Sequence, residues 1–258
     1  MNENHAKLMP SREWAAHIQD EVLPLATADV DLGTDLLELG PGPGAATDWL
    51  RHRVGRLVAV EHEQEAASRL AEAYAGTNVE VVSGDAATLG FPDASFDTVA
   101  TCTMLHHLPT RARQDRVLAE AFRVLRPGGT FLGSDSLPSD DLHHFHEGDT
   151  YNPVEPAAFL TRLQTTGFTA ITLRVAHNLI FTARKESLVS ELEGRGAAWT
   201  EERGTSDEGR RRLKAPRKLA GRNSERHRSA AQFPGRPAEL RRRRGTDPAR
   251  HRGPESGL

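Results

Sequence analysis

The stretch Asp35-Leu36-Leu37-Glu38-Leu39-Gly40-Pro41-Gly42-Pro43-Gly44 runs a short apolar segment straight into three glycines at alternate positions. A buried strand that ends in a glycine loop is where an open parallel α/β sheet receives a nucleotide-like ligand. Glycine lets the backbone approach such a ligand where a Cβ would clash. The spacing is G-x-G-x-G rather than the G-x-G-x-x-G of dinucleotide loops, and Pro41 and Pro43 each remove an N–H donor. A loop short of donors is poorly equipped to cradle a pyrophosphate, and suits a nucleoside ligand that carries no phosphate.

The segments that follow fall in a matching order. Arg56-Leu57-Val58-Ala59-Val60-Glu61 reads as a second buried strand that ends in a carboxylate, and Glu61 can accept both hydroxyls of a ribose. Dinucleotide folds share that feature. Val79-Glu80-Val81-Val82-Ser83 is a third strand leading into Gly84-Asp85-Ala86, where Asp85 can accept from an adenine amino group and the Ala86 N–H can donate to the ring. Phe91 and Phe96 are close enough in sequence to wall the adenine.

Taken together, residues from about 10 to 185 resemble a class I S-adenosylmethionine-dependent methyltransferase, most closely the small general methyltransferases of the type 11 group. The resemblance is carried by the E-x-G-x-G-x-G loop from Glu38 to Gly44, Glu61, Gly84-Asp85-Ala86, Phe96-Asp97-Thr98-Val99, Leu105-His106-His107-Leu108 and Arg123-Val124-Leu125-Arg126-Pro127-Gly128-Gly129. It implies S-adenosylmethionine as cofactor. Carried over by position, it implies Glu38 and Gly40 near the methionine end, Glu61 at the ribose and Asp85 at the adenine, and Gly42, Gly44, His62, Ala86, Cys102 and Thr103 are further candidate cofactor contacts. His62 departs from the pattern, since such proteins often carry an acid or another polar residue there.

The resemblance implies a Rossmann-like fold, a doubly wound and mostly parallel seven-stranded sheet. Strands are expected near 35–40, 56–61, 79–82, 96–102, 129–135, 168–175 and 178–184, with helices over 44–53, 63–75, 111–125 and 155–166. Only about two residues, around Ala176-His177, separate the last two strands, which requires an antiparallel hairpin. A dinucleotide domain would continue with another parallel strand. Residues 11–25 read as an amphipathic lid helix, with Trp14, Ile18 and Val22 on one face and Pro24 near its end.

Charge divides the chain. Residues 1–185 hold 15 Lys and Arg against 25 Asp and Glu, a net charge of −10, whereas residues 186–258 hold 18 basic and 11 acidic residues. An acidic body is unsuited to gripping nucleic acid through phosphates, which favours a small-molecule acceptor. The expected organisation is a lid region over 1–30, a methyltransferase domain over 31–185 and a disordered Arg-rich tail over 186–258. The tail includes Arg241-Arg242-Arg243-Arg244 and has too few large apolar residues to offset its chain entropy. It reads either as a nucleic-acid-binding arm or as GC-rich sequence out of frame, and the second reading is preferred. The single cysteine, Cys102, permits no internal disulfide, and no apolar stretch marks a leader or membrane span, so a cytoplasmic location is expected. Oligomeric state is not legible.

Methyl transfer from a sulfonium is an in-line displacement with a neutral leaving group, so the protein chiefly positions the acceptor and excludes water. A hydroxyl or acidic-carbon acceptor also needs a base, and histidine suits neutral pH. His106 and His107 follow the fourth strand at the edge where the methyl group lies. His146 belongs to the tract His143-His144-Phe145-His146-Glu147-Gly148-Asp149-Thr150-Tyr151 after the fifth strand. These three histidines and Asp135 are the candidate catalytic groups, and Trp14, His143, Glu147 and Tyr151 are candidate acceptor contacts. Backbone hydrogen bonding or capping is the competing role for the histidines and for Asp135. No metal is expected of the tract, which lacks the separated spacing of a structural zinc site and has no cysteine. Two other functions compete with methyl transfer. One is an NAD(P)-binding oxidoreductase, which would need a second catalytic domain, and the other is nucleic-acid binding or modification through the basic tail.

Overall fold

Alternation along the strands sorts their side chains into two apolar layers. Leu37, Val58, Val99, Phe131 and Phe181 point into one cluster, while their chain neighbours Leu36, Leu57, Ala100, Leu132 and Ile180 point into the other. This is what a sheet covered on both faces demands. The computed structural model describes residue 2 and residues 7–187. Its sheet contains β1 (Asp35–Leu39), β2 (Arg56–Glu61), β3 (Val79–Ser83), β4 (Phe96–Cys102), β5 (Leu125–Asp135), β6 (Thr169–Val175) and β7 (Leu179–Arg184). The spatial order is β3-β2-β1-β4-β5-β7-β6. β1 to β5 are mutually parallel, and β7 runs antiparallel between β5 and β6. This is the expected doubly wound sheet with its hairpin, and the chain order reverses beside β1, where such sheets open a crevice.

At the N-terminus α1 (Arg12–Ala16) passes through a π turn (His17–Val22) into α2 (Leu23–Thr27). Ser11 caps the start by accepting from the Trp14 N–H at 3.1 Å. Pro24 lacks the N–H that an α-helix would bond to the carbonyl four residues back, and the wider π turn accommodates that break. Ile18, Val22, Leu23 and Ala26 are buried in the second cluster with Leu36, Leu57 and Ile180. The expected lid helix is therefore largely a core-packing element. Further helices among the described residues are α3 (Ala45–Leu50), α4 (Gln64–Ala73), α5 (Arg111–Val124), α6 (Asp140–Phe145) and α7 (Pro156–Thr166), with a 3-10 turn over Leu105–His107.

Three expectations are corrected. β5 begins at Leu125, because Leu125 pairs with Phe96 and a register irregularity absorbs Pro127 and Gly128, whose φ is +83°. The start of the histidine tract, outside every expected helix, is helical: Ser139 accepts from the Leu142 N–H at 3.1 Å and starts the short helix α6. Phe96 does not wall a ligand. It is buried at the opposite end of β4 from the glycine loop, edge-on to Phe91 at 5.2 Å. The expected disordered tail falls almost wholly outside the described residues.

Candidate functional site

The loop after β1 has a backbone that only glycine adopts readily. Gly40, Gly42 and Gly44 have φ of +68°, +54° and +90°, all in the left-handed region, which explains glycine at each alternate position. A Cβ on Gly40 would collide with the Met104 side chain. The donors of this loop are all spent. Gly40 N–H bonds to the Val60 carbonyl at 3.0 Å and Gly44 N–H to the Pro41 carbonyl at 3.0 Å, while Gly42 N–H goes to Glu61 Oε2 at 3.1 Å. Pro41 and Pro43 have none to offer. No N–H from residue 40 to 44 is left for a pyrophosphate.

Glu61, buried at the end of β2, braces this loop through Gly42 and accepts the Glu63 N–H at 3.1 Å through its other oxygen. His62 beside it is exposed. Glu38 is buried beneath the loop and accepts from the Thr47 hydroxyl at 2.7 Å. Burial pushes its carboxyl up to about 7, the Thr47 bond opposing and the Glu61 charge adding to that rise. Asp85, half-buried after β3, accepts from the Ala87 N–H at 2.9 Å and from Arg113 of α5 at 2.6 Å. Sequence reading missed that ion pair, since nothing in the spacing of residues 85 and 113 announces it. Ala86 packs against the first cluster.

At the end of β4, Thr103 has φ of +52°, an uncommon conformation for a non-glycine residue, and its N–H bonds to the Ser134 carbonyl at 2.8 Å. Burial pushes the Cys102 thiol up to about 12, so it is a protonated packing group and not a nucleophile.

The turn after β4 and the segment after β5 converge, because parallel neighbours end at the same edge. Asp135 is fully buried. Its Oδ1 accepts from His106 Nδ1 at 2.9 Å and from the Ser136 N–H at 2.8 Å, and its Oδ2 accepts the Leu105 N–H at 2.8 Å. With the Leu105 and Ser136 N–H groups donating to it, the carboxylate acts as acceptor toward His106 Nδ1, and in the neutral ring this puts the lone pair on Nε2. His146, buried at the end of α6, donates from Nδ1 to the Leu142 carbonyl at 2.6 Å and stacks on Tyr151 with centroids 4.4 Å apart. Burial, opposed by the Leu142 bond and assisted by His106, holds the His146 pKa below its ordinary value. The ring of His107 lies 4.1 Å from His106 and 5.5 Å from His146.

Asn152, which sequence reading passed over, stitches the two segments. Its N–H bonds to the His106 carbonyl at 2.7 Å, and the buried Gln114 side chain bridges the Leu105 and Asn152 carbonyls. A buried glutamine on the apolar face of α5 was the available signal. His143 and Glu147 are exposed, and the Tyr151 hydroxyl donates to the Leu137 carbonyl at 3.1 Å. Trp14 packs with the second cluster beside His17. Met9, just ahead of α1, puts its methyl group near Gly42, where an added Cβ would lie 3.9 Å from it.

Residues 37–133 match the family described as methyltransferase domain. A "Probable S-adenosylmethionine-dependent methyltransferase" of Mycolicibacterium smegmatis is 32% identical over 143 residues, which cover 53% of this chain and 52% of that protein. The fatty-acid O-methyltransferase of the same organism is 35% identical over 119 residues, covering 45% of this chain and 42% of that protein. The chain thus spans about half the length of the curated relatives it matches. Among solved structures, the PH0226 protein of Pyrococcus horikoshii superposes with a TM-score of 0.57 at 19% identity, covering 69% of this chain and 94% of that one, a likeness of fold.

Proposed function

The chain carries a class I, S-adenosylmethionine-dependent methyltransferase domain, and from that premise we propose that it transfers a methyl group to a small-molecule acceptor. The observation that carries this reading is the glycine loop with no donor left over. Its left-handed glycines give a ligand close approach to the backbone while offering nothing to a pyrophosphate, which argues against NAD(P). The residues present fit a nucleoside with a charged amino-acid arm. Glu61 would take the ribose, Asp85 and Ala86 the adenine, and Glu38 and the glycines the methionine end, with Cys102 and Thr103 below and His62 at the rim. Bound there, S-adenosylmethionine supplies an electrophilic methyl group on a sulfonium.

The chain's own contribution is positioning, exclusion of water and, for an acceptor that must lose a proton, a base. The Asp135-oriented Nε2 of His106 is the best-prepared proton acceptor at this edge, with His107 and His146 packed against it. Asp135 acts through His106 as a positioning group. His143, Glu147 and Tyr151 border the same edge and are proposed to meet the acceptor. Trp14 meets it only if the region over residues 1–30 rearranges, since its ring packs with the core. Residues 31–185 form the catalytic domain in this reading, and the segment around Met9 covers the loop. Among the described residues no helix is long and apolar enough to cross a membrane, which accords with a proposed cytoplasmic location.

Calorimetric titration of the full chain with S-adenosylmethionine, S-adenosylhomocysteine and NAD tests the reading. Binding of the first two without the third is the expected result. Binding of NAD, or of none of the three by folded protein, overturns it.

A further inference from the structure

The tract after β5 gives no metal expectation in sequence, yet the fold assembles a different set. One ring nitrogen each from His106, His107 and His146 lies within 4.8 Å of the other two. We propose that these three histidines form a site for a divalent transition-metal ion of the zinc class, with one coordination position left open.

Two of the three are already in the ligating tautomer. His106 donates its Nδ1 proton to the buried Asp135 carboxylate at 2.9 Å, and His146 donates its own to the Leu142 carbonyl at 2.6 Å. In the neutral ring each then carries its lone pair on Nε2. A carboxylate or backbone carbonyl behind the far ring nitrogen is the arrangement that fixes metal-binding histidines and raises their basicity. Stacking on Tyr151 and edge contact with His106, at 5.0 Å between centroids, limit how the His146 ring can turn. His106 and His146 are buried and His107 is half-buried, so the open side of the cluster is the His107 side.

The chemistry selects the ion class. Imidazole suits Zn²⁺ and its neighbours, whereas Mg²⁺ and Ca²⁺ want oxygen. Three histidines with a vacant fourth position match zinc sites that bind an exchangeable ligand, at Zn–N distances of about 2.0–2.1 Å. Nitrogens within 4.8 Å of one another reach a common ion at that distance through modest side-chain rotation. The site stands on the histidines alone. Its consequence for methyl transfer rests on the proposed function: an ion there takes the His106 Nε2 lone pair, so an acceptor oxygen would meet the ion in loaded protein and the imidazole in metal-free protein.

The test uses full-length protein stripped with chelator and dialysed. Titration with Zn²⁺, and separately with Co²⁺ followed by visible absorption, is expected to show one ion per chain at this site with a low-coordinate Co²⁺ spectrum. His107→Ala and His146→Ala are each expected to weaken affinity about tenfold or more. X-ray absorption of the zinc-loaded wild type is expected to count three imidazole ligands, which needs no variant to fold. Absence of stoichiometric binding, a count below three, or affinity unchanged in both folded variants overturns the proposal. Since no methyl-transfer assay enters, failure of the metal site and failure of cofactor binding are separate results.

Discussion

His106 and Asp135, 29 residues apart in the chain, form a buried pair with Nδ1 2.9 Å from Oδ1. The same carboxylate takes the N–H groups of Leu105 and Ser136, so it anchors the turn after β4 as well as the imidazole. Asp135→Asn keeps the shape but leaves one side-chain oxygen for three donors. We expect it to lower stability by about 1–3 kcal/mol. If the acceptor must be deprotonated, it should also lower kcat about 10²- to 10⁴-fold. Denaturant unfolding beside single-turnover methyl transfer checks both.

Glu61 has two tasks, bracing Gly42 and facing the ribose position. Glu61→Ala should weaken S-adenosylhomocysteine binding about tenfold or more, because it strands ligand hydroxyls and frees the loop. Asp85→Ala should do the same through the adenine, and it also releases Arg113. Calorimetry on both variants is the check, and wild-type affinity in each would remove this pocket from consideration.

Gly133 lies in the middle of β5, and a Cβ there would run into the Thr101 carbonyl of β4. The obstruction is backbone, which cannot swing aside. Gly133→Ala is expected to yield no soluble folded protein, or to lower stability by at least about 3 kcal/mol, at the upper end of single-substitution effects. A near-native thermal transition would contradict this packing.

Glu38 gives stability an unusual pH slope. Its carboxyl rises from an ordinary 4.5 to about 7 in the folded protein. Below 4.5 both states are protonated. Between 4.5 and 7 the folded state holds a proton that the unfolded state has lost, so this residue's contribution falls as pH rises and is fully lost above about 7. Glu38→Gln should flatten that slope and, at pH 8, raise stability by up to about 3 kcal/mol. Unfolding curves from pH 4 to 8 for both proteins, at roughly one-unit steps, resolve the difference.

Much of the architecture is legible because strand alternation and the left-handed glycine loop leave direct marks in sequence. The hairpin follows from a gap too short for any crossover, expected as about two residues and found as the three between Val175 and Leu179. Motif membership, however, did not reveal what a residue does. Asp97 accepts the Thr34 and Asp35 N–H groups, and Arg126 pairs with both Asp35 and Asp97, so this part of the family pattern ties β1, β4 and β5 together at the edge away from the loop. The Asp85–Arg113 pair and the meeting of His106 with His146 were hidden for another reason. They depend on which strand ends and helices become neighbours, and local spacing carries no record of that.

The placement of β7 bears on how the chain comes together as it is made. Strands β1 to β5 can assemble in the order in which they leave the ribosome, but β6 is synthesised before β7 and pairs with nothing else in the sheet. It must wait for the final strand to slip between it and β5. Until Arg184 is available, β5 presents a bare edge, with Phe131 and Leu132 on its two faces lacking the cover of Phe181 and Ile180. The last few residues of the domain therefore close the sheet, and an interruption of synthesis before them leaves an open template for pairing with another chain.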